Sequence, residues 1–233
     1  MKRFLCMLWL EEVSSTQDYL KDKMSLNCVV VARTQRLGRG RYGRFWHSDM
    51  GGLYFSFSLK ESFKDEQALP LVLSLSVCQL LEDYGFFASI KWINDVYLKG
   101  KKICGILVEK VKDRIIAGIG LNVNQENFPE GLQATSMLLV SGRKYDTIEV
   151  LFRLLKKIDR NLDLLKERGF GDFREDIKKR LLFLGEEVVL QTDPPTVGIL
   201  TDLSPEGQII LLTAEGEKRV ISGDITLRGT ILS

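Results

Sequence analysis

Between Ala88 and Asn124 the segments "ASIKWINDVYL", "ICGILVEKV" and "IIAGIGLNVN" follow one another with only short turns such as "KGKK" between them. A parallel neighbour requires a crossover of a dozen or more residues, so these three or four strands must pair antiparallel. That constraint places a mainly antiparallel sheet at the centre of the chain. Upstream, "GGLYFSFSL" alternates Leu53, Phe55, Phe57 and Leu59 with Tyr54, Ser56 and Ser58, the pattern of a strand with one buried face.

The other elements fit around such a sheet. Phe4 to Leu10 reads as a strand, and "SSTQDYLKDK" starts a helix that Ser15 can cap, with Asp18 in the first turn where the dipole favours a carboxylate. Asn27 to Ala32 is a second short strand. Pro70 suits the first turn of a helix that is apolar nearly all round until Gly85 ends it, as expected of a helix buried against a sheet. Leu151, Leu154, Leu155, Ile158, Leu162 and Leu165 recur at helical spacing, and Gly169 precedes a second helix to about Leu182. From Gly185 the pattern becomes short strands and turns, which predicts a small β-barrel. The reading is therefore α+β, with residues 1–184 as one domain and 185–233 as another.

Composition narrows the function. The chain has 233 residues, 45% hydrophobic and 27% charged, enough for a core of its own, and no apolar run long enough to span a membrane; it reads as a cytoplasmic protein. Cys6, Cys28, Cys78 and Cys104 form no C-x-x-C pair and read as buried hydrophobes in a reducing compartment. His47 is the only histidine, which disfavours a Cys/His zinc site and a serine or cysteine triad alike. Residues 185–233 carry three basic and eight acidic side chains, a balance of −5 that leaves +7 on residues 1–184. A moderate positive charge suits phosphate handling at least as well as nucleic-acid binding.

Two stretches can carry chemistry. "RTQRLGRGRYGRFW", Arg33 to Trp46, lacks period 2 or 3.6 and is read as a loop. Its glycines allow close approach to a ligand, its arginines bind carboxylate or phosphate, and Trp46 offers a flat face. On its residues alone it could equally be a solvated basic loop or a single-strand nucleic-acid groove. In the second stretch, Lys91, Asn94 and Asp95 end one strand and Lys102 follows a turn on the next, so two cations and a carboxylate can converge, or form an ordinary polar hairpin. Gly105, Gly118 and Gly120 leave space above the sheet, and Asn122 adds a neutral donor and acceptor. There is no Walker A motif and no strand-to-helix G-x-G-x-x-G.

At these residues the sequence resembles the biotin protein ligases. "GRGRYGRFW" matches that family's GRGRxGRxW loop, "KWIND" is similar to KWPND with Ile93 in place of proline, and "KKICGILVE", "GIGLNVN" and "VSSTQ" resemble its other motifs in the same order. The resemblance implies a catalytic domain of the biotin–lipoate ligase type, similar to class II aminoacyl-tRNA synthetases, plus an SH3-like C-terminal barrel. It implies an ATP-dependent ligase that makes biotinoyl-5'-AMP and transfers biotin to a lysine of a biotin carboxyl carrier protein, with Mg2+ arriving on ATP and held mainly by its phosphates. Because the chain starts at the catalytic strand, it looks like the monofunctional class without a DNA-binding domain. A homodimer is expected, with neither DNA nor membrane as partner. A lipoate-protein ligase is the alternative enzyme, and a nucleic-acid-binding module using the basic loop is a remote one.

The resemblance assigns roles by motif position. Lys102, Arg41 and Asp95 are the expected catalytic residues. Ser15, Thr16, Gln35, Gly38, Arg39, Arg41, Lys102, Gly105 and Gly118 are expected at biotin, and Arg39, Arg41, Arg44, Trp46, Lys91, Asn94 and Asn122 at ATP. Asp95 would orient the attacking amine or else pair with Lys91, and the arginine loop would close over the adenylate. No metal ligand is expected from the protein itself.

Overall fold

The computed structural model describes residues 2–23 and 28–228; Asn27 and residues 229–233 lie outside the described residues. In chain order the elements are β1 (Cys6–Val13), α1 (Thr16–Lys23), β2 (Cys28–Gln35), β3 (Leu53–Leu59), α2 (Leu69–Asp83), β4 (Ser89–Lys91), β5 (Asp95–Leu98), β6 (Lys101–Val111) and β7 (Arg114–Leu121). Then follow α3 (Met137–Ser141), α4 (Thr147–Arg168), α5 (Gly171–Lys178), β8 (Glu187–Leu190), β9 (Thr196–Leu203), β10 (Ile209–Thr213), β11 (Gly216–Val220) and β12 (Ile225–Leu227). Two compact units result: Met1–Ser62 with Tyr97–Arg160, and Phe63–Val96 with Asn161–Ser233. Among the described residues no helix is long and apolar enough to cross a membrane.

In the first unit the strands run β1-β2-β3-β7-β6. The antiparallel reading holds for β2 with β3, β3 with β7 and β7 with β6, while β1 pairs parallel to β2. The sheet is thus mixed and mainly antiparallel. The turn from β5 to β6 is made by Lys99 and Gly100, both at positive φ (51° and 76°), the backbone of a tight two-residue hairpin. Helix α1 lies on one face of the sheet, where Leu20 packs with Cys28, Val30 and Ile116. On the opposite face Phe55 stacks near Phe57, with ring centroids 6.3 Å apart, and Phe4 meets Phe57 edge-on at 5.2 Å.

Strand β3 corrects one expectation. All seven residues Leu53–Leu59 are buried, so Tyr54, Ser56 and Ser58 face protein and not solvent. Their polar groups have internal partners, which the alternation of residue types cannot reveal. Cys6 likewise is exposed, whereas Cys28, Cys78 and Cys104 are buried as read from sequence. The tract Arg33–Trp46 is only partly a loop: β2 continues through Gln35, and Arg39 bridges Phe45 in a small antiparallel turn.

In the second unit α2 is buried on nearly every side from Leu69 to Leu81, and Gly85 at φ 82° ends it. The segment read as one strand over "ASIKWINDVYL" is two: β4 stops at Lys91, Trp92–Asn94 turn, and β5 begins at Asp95. The Trp92–Ile93 peptide is cis. Trp92 is buried and donates from Nε1 to the Gly207 carbonyl at 3.1 Å. Helix α5 ends at Lys178 instead of near Leu182, because the chain leaves the helix to pair with β4: Ile90 N–H donates to Arg180 O and Leu182 N–H to Ile90 O, at 2.7 and 2.8 Å. The C-terminal strands form a five-stranded antiparallel sheet ordered β11-β10-β9-β8-β12, an SH3-like domain. Helix α4 keeps its apolar stripe, with Leu151, Leu154, Leu155, Ile158, Leu162 and Leu165 all buried.

Phe57 joins both aromatic contacts in the first unit. Phe57→Ala is expected to cost about 3–5 kcal/mol of stability by urea unfolding, the range for emptying a large buried aromatic site; a loss below about 1 kcal/mol would mean that the core closes over the cavity.

Candidate functional site

The sheet face that carries α1 has a floor made of glycine. Gly120 pairs with Tyr54 on β3 and Gly105 on β6, while Gly118 pairs with Ser56 and Leu107. A Cβ on Gly120 would lie 2.3 Å from Trp46 Nε1, one on Gly105 would lie 2.8 Å from Trp46 Cζ3, and one on Gly118 would lie 2.6 Å from Gln17 Oε1. These separations are below any real contact, so glycine is required wherever another side chain rests on the strand backbone. From sequence Gly105 is expected to leave room for a ligand and Trp46 to meet ATP. In the structure the Trp46 indole itself covers Gly105 and Gly120, with Lys102 Nζ 5.3 Å from the ring centroid. Lys102 and Trp46 are therefore brought together.

Beside this floor lies a buried polar cluster. Thr16 donates from its N–H (2.8 Å) and hydroxyl (3.1 Å) to Gln35 Oε1, and Gln35 Nε2 donates to Ser48 Oγ at 2.8 Å. Thr16 Oγ1 is also 2.8 Å from Ser56 Oγ; having spent its one proton on Gln35, it accepts from Ser56. Ser15 caps α1 by accepting from the Asp18 N–H at 3.3 Å, as the sequence predicts. Gly38 lies at the edge of the cluster, where a Cβ would stand 2.6 Å from Ser48 Oγ and 2.3 Å from the Trp46 carbonyl.

Arg39 docks the glycine-rich turn onto the sheet. Its guanidinium pairs with Asp18 and, at 3.3 Å, with Glu109, which also binds Lys21 Nζ at 2.7 Å and Gln17 Nε2 at 3.0 Å. Burial alone would raise the Glu109 pKa, but hydrogen bonds from Lys21 and Gln17 and the charges of Lys21 and Arg39 outweigh it and hold the carboxyl below its ordinary range. The pairing is thus intact at neutral pH and is lost only as pH falls through that lowered value. Arg41 and Arg44 lie farther along the turn, their guanidiniums 4.8 and 5.7 Å from the exposed Tyr42 ring.

Asn122 is buried at the end of β7 and its orientation is imposed. Gln125 Nε2 donates to Asn122 Oδ1 at 3.0 Å and to Tyr54 OH at 2.8 Å, and the Val123 N–H fixes the other end of Gln125. Tyr54 in turn donates to the Asp49 carbonyl at 2.7 Å, and burial pushes its phenol pKa well above the usual range. Lys91, Asn94 and Asp95 belong to the other compact unit, where Lys91 pairs with Asp224 at 3.1 Å.

Gln17, Ser48, Ser56, Glu109, Tyr54 and Gln125 join the site without having been expected there from sequence. Gln17 and Glu109 stood inside the motifs "VSSTQ" and "KKICGILVE" without a role. Ser56 carried a signal, a small polar residue on the supposed solvent face of an otherwise apolar strand, but only tertiary structure shows what it meets.

Comparison with known proteins agrees with this geometry. Residues 9–126 match the biotin/lipoate A/B protein ligase family and residues 183–228 the biotin protein ligase C-terminal domain. The bifunctional ligase/repressor BirA of Bacillus spizizenii is 33% identical over 95% of this chain and 74% of its own length. Biotin–protein ligase 2 of Arabidopsis thaliana is 32% identical over 81% of this chain and 62% of its own. The biotin protein ligase of Aquifex aeolicus, solved with biotin and ATP, superposes with a TM-score of 0.90 at 45% identity, covering 97% of this chain and 99% of that one. The chain belongs to the biotin/lipoate protein ligase family, and its second domain is that of the biotin protein ligases.

Because Glu109 ties Arg39 to the sheet, Glu109→Gln is expected to speed tryptic cleavage after Arg41 and Arg44 several-fold at neutral pH, read by mass spectrometry of the fragments. Unchanged cleavage would show that Asp18 alone holds the turn.

Proposed function

We propose that this chain is an ATP-dependent biotin–protein ligase. A carboxylate oxygen of biotin attacks the α-phosphorus of ATP and releases pyrophosphate; a lysine amine of a biotin carboxyl carrier protein then attacks the acyl carbon and releases AMP. The observation that carries this reading is the convergence of Thr16, Gln35, Ser56 and Lys102 along one glycine floor. The first three supply polar atoms for a ureido ring at one end, and Lys102 supplies a cation at the other. A dithiolane ring offers nothing to that polar end, so lipoate fits it less well.

Bringing a carboxylate to a triphosphate costs electrostatic repulsion, which fixed cations offset at the moment of attack. Lys102 is assigned to the carboxylate and α-phosphate in both half-reactions. Arg39 and Arg41, with Gly38 between the polar cluster and the turn, are assigned to the closed loop over the adenylate, where exclusion of water protects the mixed anhydride. Ser15, Thr16 and Gln35 are assigned to the biotin ring and Gly118 to its space, while Gly105, expected there from sequence, seats the Trp46 indole. Arg44, Trp46 and Asn122 are assigned to the nucleotide. For Trp46 the assignment requires the indole to serve as a stacking face beside Lys102. Asp95 is assigned to the incoming amine, which must be neutral to attack although a lysine near its reference pKa of about 10.4 is protonated at pH 7. Mg2+ is assigned as a companion of the triphosphate, held by phosphate oxygens and water. Residues 1–184 are taken as the catalytic domain and 185–233 as the SH3-like one.

Incubating a biotin carboxyl carrier domain with the enzyme, biotin and MgATP should add one biotinyl group, seen by mass spectrometry, and Lys102→Ala should slow the addition at least about a hundredfold. A carrier that stays unmodified with wild-type enzyme would overturn the assignment.

A further inference from the structure

We propose that Gln125 is a positioning residue for the nucleotide: it turns the Asn122 amide so that nitrogen, and never oxygen, faces the ligand, which makes this end of the sheet a hydrogen-bond donor to a phosphate oxygen of ATP. This rests on the ligase reading above and adds to it a residue one hydrogen bond behind the site. An asparagine amide can present either end, and the two ends suit opposite partners, so whatever fixes the choice decides what binds. Two independent contacts fix Gln125. Its Oε1 accepts at 2.9 Å from the Val123 N–H, a group that can only donate. The Tyr54 hydroxyl spends its proton on the Asp49 carbonyl at 2.7 Å, so Nε2 must be the donor in the 2.8 Å contact between Gln125 and Tyr54 OH.

With both ends of Gln125 assigned, Nε2 donates its other hydrogen to Asn122 Oδ1 at 3.0 Å, and Asn122 Nδ2 points the opposite way. Nδ2 donates to nothing among the described residues, although Asn122 is only 2% exposed. An amide this enclosed with its donors unspent is costly and marks a place where a ligand brings the acceptor. The backbone beneath is held just as firmly. At the start of α3 the N–H groups of Met137 and Leu138 donate to the Asn122 and Val123 carbonyls at 3.2 and 2.9 Å, and the Ser136 hydroxyl donates to the Gln125 carbonyl at 2.7 Å while it caps α3 through the Leu139 N–H. Burial pushes the Tyr54 phenol above its usual range, so its proton stays in place and the relay keeps one direction at neutral pH. Asn122 stands two residues beyond Gly120, the glycine covered by the Trp46 indole that Lys102 approaches. A phosphate oxygen only accepts; an amide nitrogen satisfies it beside that cation, and an amide oxygen turned the same way would repel it.

The test is ATP–pyrophosphate exchange at saturating biotin in full-length wild type, Gln125→Glu, Asn122→Ala and the double variant, from about pH 6 to about pH 9, a span that covers a buried carboxyl. The ionised carboxylate of Gln125→Glu has no donor, so Asn122 turns its nitrogen inward to it and its oxygen outward; the protonated acid still donates as the amide does. Gln125→Glu is expected to raise KM for ATP roughly ten- to a hundredfold over wild type at the alkaline end, with the ratio shrinking as pH falls, while kcat and the calorimetric affinity for biotin stay within about threefold. In the Asn122→Ala background the same substitution should change KM by less than about threefold. A KM ratio that does not vary with pH, an equal penalty in the Asn122→Ala background, or a matching loss of biotin affinity would overturn the role of Gln125. If Gln125→Glu does not fold, Gln125→Met, which removes both ends of the amide, carries the same cycle with Asn122→Ala at a single pH. Failure of the wild type to catalyse biotin-dependent exchange would instead remove the ligase reading beneath it.

Discussion

The structure around the candidate site depends on missing side chains. At Gly105, Gly118 and Gly120 the strand backbone is in direct contact with Trp46 and Gln17, at separations no Cβ could tolerate. Because β3, β7 and β6 pair in register, the three glycines share one face and make a continuous trough instead of isolated gaps. An ordinary antiparallel sheet would fill that face with apolar side chains. Here the apolar packing is confined to the part beneath α1, around Leu20 and Ile116, and the trough begins where that packing stops.

Charge and polarity are then layered on the trough. Buried polar groups must be satisfied internally, and Thr16, Gln35, Ser48 and Ser56 do this as a chain of hydrogen bonds whose directions are fixed by the donors each can offer. Glu109 is the junction of this layer. One carboxylate orients Gln17, binds Lys21 and holds Arg39, which links the interior of the site to the glycine-rich turn. A second, separate layer made of Tyr54, Gln125 and Asn122 orients the amide at the end of β7.

Much of this was legible in the sequence. The short turns between Ala88 and Asn124 dictate antiparallel pairing, the leucine spacing in α4 dictates its buried stripe, and the ordered motifs with the tract from Arg33 contain Thr16, Gln35, Trp46 and Lys102 of the glycine floor, whereas Lys91, Asn94 and Asp95 fall in the other compact unit. What was hidden depends on contacts between distant segments. The serines of β3 look solvent-facing because alternation reports residue type, not what covers each face. The break between Lys91 and Asp95 follows from Trp92 being drawn to Gly207, a partner far along the chain. Arg39 reads as a ligand arginine, and nothing local announces that Asp18 and Glu109 engage it. Trp46 reads as a platform, and only the register of β6 with β7 shows that it has the glycines of both strands beneath it.

In the proposed ligase the polar end of the trough takes a ureido ring and Lys102 a carboxylate. ATP–pyrophosphate exchange measures this directly, because it requires only the first half-reaction and no carrier protein. Exchange of labelled pyrophosphate into ATP is expected to depend on biotin and not on lipoate; exchange supported by lipoate and indifferent to biotin would rule out ureido recognition at this trough.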